Sequence, residues 1–188
     1  MTGGVTPRLA PIKSKADLPA EHHAVADAVV KVYGEIRGPW GMLLHSPQLA
    51  ARVLPLVSFF HDESSVAGKL RSVAILTAVR EHESAYVWAA QVAAARRNGA
   101  SEELIDVIRA KGDPAELPVA EREIVTYARQ LARTNRVDQA TFDALRNRYG
   151  TQWLVELTAV MGYFALVSGI ANAFEVAAPQ GGDKLPGS

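Results

Sequence analysis

Apolar residues recur along this chain at three- and four-residue spacings, and no stretch alternates apolar with polar as a half-buried strand would. Ala24, Val25, Ala28, Val29 and Val32 predict a first helix over 19–33, with Gly34 at its C-cap. Ser46 followed by Pro47 is a helix start, an N-cap before a proline at the first helical position. That helix is expected to reach residue 60, with Leu49, Val53, Leu56, Val57 and Phe60 on its buried side. Between these two lies a stretch broken by glycine and proline that carries Trp40 and His45.

The rest is organised around 71–98. Val73, Ala74, Ile75, Leu76, Ala78 and Val79 leave almost no polar face, which marks a helix buried on most sides. A polar knot follows, Arg80-Glu81-His82-Glu83-Ser84, and then an alanine-rich helical run carrying Tyr86, Trp88 and Gln91. Two helices are predicted, with a break at 82–84 and Ser84 as N-cap of the second. Asn98-Gly99 ends that second helix, and Ser101 with Glu102 and Glu103 opens a short one that stops by Gly112. An amphipathic helix is expected over 119–134, from Ile124, Tyr127, Ala128 and Leu131. Asp138 caps a helix over 139–149 that Gly150 closes, and Thr151 begins a long apolar helix reaching toward Pro179. These elements predict an all-α bundle of about eight helices. It is expected as one domain over 19–178, between an N-terminal arm (1–18) and a flexible tail (179–188).

Composition changes this picture at four points. The segment 157–174 is 18 residues without a charge, long enough to raise a membrane span. It contains Thr158, Ser168, Asn172, Gly162 and Gly169, is bracketed by Glu156 and Glu175, and lacks a flanking Lys/Arg cluster. It therefore reads as the central helix of a soluble bundle, and no membrane partner is expected. Charge is balanced, 20 basic against 20 acidic residues, so a nucleic-acid groove is not expected either. There is no cysteine, which leaves no residue for disulfides, thiol redox chemistry or thiolate metal ligation. The first residues show no apolar signal-peptide core, and a cytoplasmic protein is expected.

Taken in order, GPWGMLLHSPQLA (38–50), LRSVAILTAVREHESAYVWAAQ (70–91), NGAS before a helix, and AEREIVTYARQL, VDQATFDAL and LVELTAVMGYF resemble the carboxymuconolactone decarboxylase / alkylhydroperoxidase D-like superfamily. The resemblance covers 20–178 and implies an AhpD-like helical bundle, assembled as trimers or hexamers. In peroxidase members of that family a glutamate, a Cys-x-x-Cys pair and a histidine relay protons and attack the peroxide. Those positions fall here on Ser72, Ser84, Val87 and Gln91, so the relay is absent. Decarboxylase members carry Tyr-Glu-Trp and a later histidine where this chain has Tyr86-Val87-Trp88 and Gln91. That branch is the nearer one, and its acid and histidine are also missing.

Several residues remain as candidates for chemistry. Ser84, Val87 and Gln91 share a helix face at i, i+3 and i+7, and Arg80 joins it if the two runs are continuous. Arg80, Ser84 and Gln91, with Trp40 and Tyr86, could then hold a substrate carboxylate; alternatively Ser84 is only an N-cap and Gln91 a polar residue at a seam. In Glu81-His82-Glu83 a histidine between two acids could act as a general acid or base. It could equally be a solvated turn, and adjacent residues lack the i, i+4 spacing of a metal site, so no metal or cofactor is expected. By resemblance the loop of His45 lies close to the core-helix pocket. His45 is therefore either the replacement proton-transfer group or a packing histidine beside Ser46-Pro47. Two functions stay open: a cofactor-independent enzyme acting by proton transfer or decarboxylation on a small carboxylate or lactone, with His45, His82 and Glu81 as catalytic residues, and an inactive ligand binder or assembly partner. The surplus of apolar helix surface predicts a homo-oligomer.

Overall fold

A computed structural model describes residues 6–187, and among these all regular structure is helical. The first five residues of the expected arm and Ser188 of the tail lie outside the described residues. The α-helices are α1 (His23–Tyr33), α2 (Pro39–Leu43), α3 (Pro47–Asp62), α4 (Gly68–Glu81), α5 (Ala85–Arg97), α6 (Glu102–Arg109), α7 (Val119–Thr134), α8 (Gln139–Tyr149) and α9 (Thr151–Ala173). They divide between two compact units, where one domain is expected from the sequence. One unit takes the chain up to Glu63 together with Gly169–Ala177; the other takes Ser64–Ser168 and the residues from Ala178 onward.

In the first unit α1 ends as its pattern predicts, on Gly34 in the left-handed region at φ 81°. The glycine- and proline-broken stretch after it contains a helix the periodicity does not reveal, α2. Pro39 sits at its start and all five of its residues are buried. A helix this short shows no repeat, so only its burial distinguishes it. The chain from Arg8 onward is docked here. The Ile12 amide donates to the Gly41 carbonyl at 3.0 Å. A Cβ at Gly41 would stand 3.0 Å from the Ile12 oxygen and from the Pro11 Cβ, which explains the glycine. Arg8 pairs with Glu175 at 2.6 Å.

The second unit is built around α4. Every residue from Ser72 to Arg80 is buried, because α5 and α7 both pack on this helix and α6 closes it further. Burying side chains such as Val73, Leu76 and Val79 stabilises the fold by roughly 1.5–3 kcal/mol each. Several buried polar groups of this core are paired, while the Ser168 hydroxyl is buried without a partner. Lys69 reaches the buried Glu121 at 2.6 Å. Tyr127 and Thr158 share a hydrogen bond of 2.7 Å. The Glu156 carboxylate accepts from the Ser65 amide at 2.7 Å and from the Ser64 and Ser65 hydroxyls at 2.9 Å.

In the residues expected as a flexible tail, Leu185 is 4% exposed and Asp183 is ion-paired to two arginines. Their polar, glycine-rich composition conceals one apolar anchor and one acid that find partners far back in the sequence. The long helix stops at Ala173 rather than near Pro179, because residues from Glu175, itself at φ 53°, leave the helical path. By length and composition α9 could cross a membrane, with an 18-residue window of mean hydropathy 1.8. Half of that window is buried inside the protein, as in a core helix. Val155, Ala159, Gly162 and Leu166 form an exposed, wholly apolar stripe along it.

Candidate functional site

The break predicted at 82–84 is real, and its chemistry is all local to the second unit. Glu83 stands at φ 52°, in the left-handed region, and turns the chain sharply between α4 and α5. His82 caps the end of α4 through its backbone amide, which donates to the Ala78 carbonyl at 3.1 Å, and its ring is half-buried. Ser84 occupies the N-cap position of α5 as expected, yet its hydroxyl makes no capping hydrogen bond.

On one side of this turn the ionisable groups are bound to one another. The Arg80 guanidinium is buried, donates through Nε to the Arg109 carbonyl at 2.6 Å, and pairs with the Glu83 carboxylate. Lys111 reaches Glu83 at 2.6 Å. Glu81, whose side chain is only 7% exposed, receives Arg133 in a two-pronged pair at 2.7 and 2.9 Å, with Lys111 at 3.6 Å and Arg129 at 3.9 Å. Burial by itself would push the Glu81 carboxyl up. The hydrogen bond from Arg133 and the charges of Arg133, Lys111 and Arg129 outweigh burial and hold it below its ordinary value. Glu83 is likewise lowered, burial being outweighed by Lys111 and Arg80. Both acids are therefore carboxylates near neutral pH and neither has a proton to give. Arg129 is lowered as well, first by burial and then by the neighbouring Arg133 charge. Beside it is a cleft of about 330 Å³ lined by Pro114, Thr126, Arg129, Gln130, Arg133 and Thr134.

Elsewhere at the turn two neutral side-chain groups lack a partner. Ser84 and Trp88 are both 0% exposed, one helical turn apart at the start of α5, and neither Ser84 Oγ nor Trp88 Nε1 has a hydrogen-bond partner. Val87 between them is 4% exposed. The Arg109 guanidinium lies over the Trp88 ring, 5.8 Å from its centroid. Tyr86 and Gln91 are partly exposed farther along α5. Ser72 is buried on α4 and accepts from the Asn98 side-chain amide at 3.0 Å.

The structure thus gathers Arg80, Glu81, Glu83 and Ser84 at one turn, with Tyr86 and Gln91 on the helix that follows. His45 and Trp40 belong to the first unit. There His45 Nε2 is hydrogen-bonded to the Ala10 carbonyl at 2.9 Å, and Trp40 packs on Tyr33 at 5.4 Å between ring centroids. Among the described residues no three His, Asp or Glu side chains gather as a metal site requires. Sequence reasoning missed the cations that neutralise the knot, Lys111, Arg129 and Arg133. The i, i+4 spacing of Arg129 and Arg133 was the available signal, since it puts both on one face of α7. It also missed the unpaired indole of Trp88, for which spacing carries no signal.

Comparison with known proteins shows the fold. No protein-family model and no curated protein matches the sequence. Solved structures do match. An uncharacterised, peroxidase-related protein with an alkylhydroperoxidase AhpD core, from Ralstonia eutropha JMP134, superposes with a TM-score of 0.74 at 18% identity, covering 92% of this chain and 95% of that one. An AhpD-type protein of unknown function from Agrobacterium tumefaciens superposes with a TM-score of 0.64 at 20% identity, covering 73% of this chain and 95% of that one. The chain has the AhpD-like helical fold.

Proposed function

We propose that the protein binds a small carboxylate-bearing molecule at the α4–α5 turn, without thiol or cofactor. The observation that carries this reading is the pair of fully buried, unpartnered donors, Ser84 Oγ and Trp88 Nε1. Each such group left without an acceptor costs about 1–3 kcal/mol, so a helix start that keeps two of them one turn apart is suited to an acceptor from outside the chain. Arg80 supplies the charge. In the ligand-free protein Glu83 pairs with it, and Glu83 is the exposed member of that pair. An incoming carboxylate can exchange with Glu83 on the guanidinium and present its remaining acceptors to the serine and the indole.

The finer reading is a cofactor-independent proton transfer or decarboxylation of the decarboxylase-like type. Glu81 and Glu83 are held as carboxylates by the cations bound to them, so this reading does not take either as the acid. His82, at the same turn, is the group placed to donate. The competing reading, a binder or assembly partner without turnover, is favoured by the replacement of the relay positions by Ser72, Ser84, Val87 and Gln91. Self-association as a homo-oligomer is part of the proposal, through the apolar stripe on α9. Leu166→Glu is expected to lower the sedimentation coefficient relative to wild type, and identical values would remove that part.

The test is a thermal-shift panel of small carboxylates, aromatic acids and lactones on wild type, Arg80→Met and His82→Asn. A carboxylate at one hundred times its Kd stabilises the fold by about 2.7 kcal/mol. The shift is expected in wild type and His82→Asn and to be lost in Arg80→Met. No shift with any acid overturns the proposal. Product formation by wild type but not His82→Asn establishes the enzyme, and binding without product establishes the binder.

A further inference from the structure

Ser84 and Trp88 are both 0% exposed, so a ligand reaches them only if some covering element moves. The segment from Ala178 onward belongs to the same unit and crosses α5 without regular structure. Gly182 lies so close to Ala89 that a Cβ there would stand 2.8 Å from the Ala89 Cβ. The next residue, Asp183, accepts from Arg96 at 2.5 Å and from Arg109 at 3.1 Å. Ala89 and Arg96 are seven residues apart on one face of α5, and the Arg96 side chain spans that distance to reach the carboxylate next to Gly182. Arg109 is the arginine that lies over the Trp88 ring and whose carbonyl holds Arg80. One carboxylate near the end of the chain thus fixes both the helix beneath it and the cation that covers the indole.

We infer that the C-terminal segment is a displaceable strap over the proposed ligand site, with Asp183 as its latch and as the residue that positions Arg109 over Trp88. The inference rests on the carboxylate-site reading for its purpose, while the strap itself can be tested without any ligand. Its hold is suited to opening. It consists of one acid, one buried leucine and one close-fitting glycine, against continuous apolar faces for the helices. Partly exposed charge pairs weaken as salt rises, so opening is favoured by ionic strength, whereas the helix faces beneath are not loosened that way.

The experiment is hydrogen exchange read by mass spectrometry on the full chain, comparing wild type with Asp183→Asn and Gly182→Ala. The first removes the charge and keeps the shape; the second keeps the charge and forces a clash. Both are expected to speed exchange about tenfold in peptides covering 85–92 as well as in 178–187, the loss that goes with breaking charge-assisted hydrogen bonds. Raised salt should do the same in wild type and have no further effect in Asp183→Asn. Faster exchange confined to 178–187 overturns the strap as a cover, because the helix beneath would then be shielded by something else. Unchanged exchange in both segments overturns the latch. If exchange responds as expected and no carboxylate shifts the melting temperature of any variant, the strap stands and the ligand reading falls. If the open variants bind the panel's acids faster than wild type with the same Kd ratio to Arg80→Met, both stand.

Discussion

Glu81 and Ser84 are three residues apart, both buried, and treated in opposite ways by the fold. Glu81 carries a full charge and has three cations around it. Ser84 carries none and its hydroxyl has no partner. An uncompensated buried charge is too costly for a marginally stable domain, so the charged residue acquires partners wherever the chain can bring them. A neutral hydroxyl or indole left unpaired costs an amount the rest of the core can absorb, and such a group persists where it is useful. The Glu81 cluster therefore reads as structure, while Ser84 and Trp88, with Arg80, are the groups the proposal assigns to a ligand.

The largest expected effect tests the Glu81 cluster. Glu81→Ala should lower unfolding free energy by about 3 kcal/mol, since it leaves Arg129 and its neighbours without their anion. Urea denaturation measures this, and a loss near zero would mean that the cluster is not structural. The same group sets a pH dependence. Its folded carboxyl is depressed below the ordinary 4.5, so its contribution is complete above that value and is lost as pH falls through the lower folded value. Wild type should therefore lose stability on acidification below about pH 5 more steeply than Glu81→Ala. Parallel curves would assign the slope to other acids.

A smaller effect, of opposite sign, tests the unpaired groups. Ser84→Ala removes an unpaired hydroxyl that makes no capping bond, so it should stabilise the ligand-free protein by roughly 1 kcal/mol while weakening carboxylate binding. Destabilisation would show that the hydroxyl is satisfied in solution and would break the contrast. The smallest effect is Lys111→Met. Its ammonium is partly exposed and shared between two acids, and a change of about 0.5 kcal/mol, reduced further by salt, is expected.

The helices were legible from the sequence alone wherever their signals are local. The expected spans 119–134 and 139–149 coincide with α7 and α8, and Asp138 caps α8 by accepting from the Thr141 amide as its position implies. The break at 82–84 was readable for the same reason: helix periodicity, caps and stops act over a turn or two. What the site's groups do was not readable. Glu81 meets Arg133 across 52 residues, and Asp183 meets Arg96 across 87. No spacing rule spans such distances, so the sequence showed a polar knot and a polar tail where the fold made an ion cluster and an anchored strap. Ser84 shows the limit most sharply. Its place at the head of α5 was determined by the residues beside it, while its hydroxyl's lack of a partner was decided by the side chains that close around it, which come from parts of the chain that meet only in the folded state.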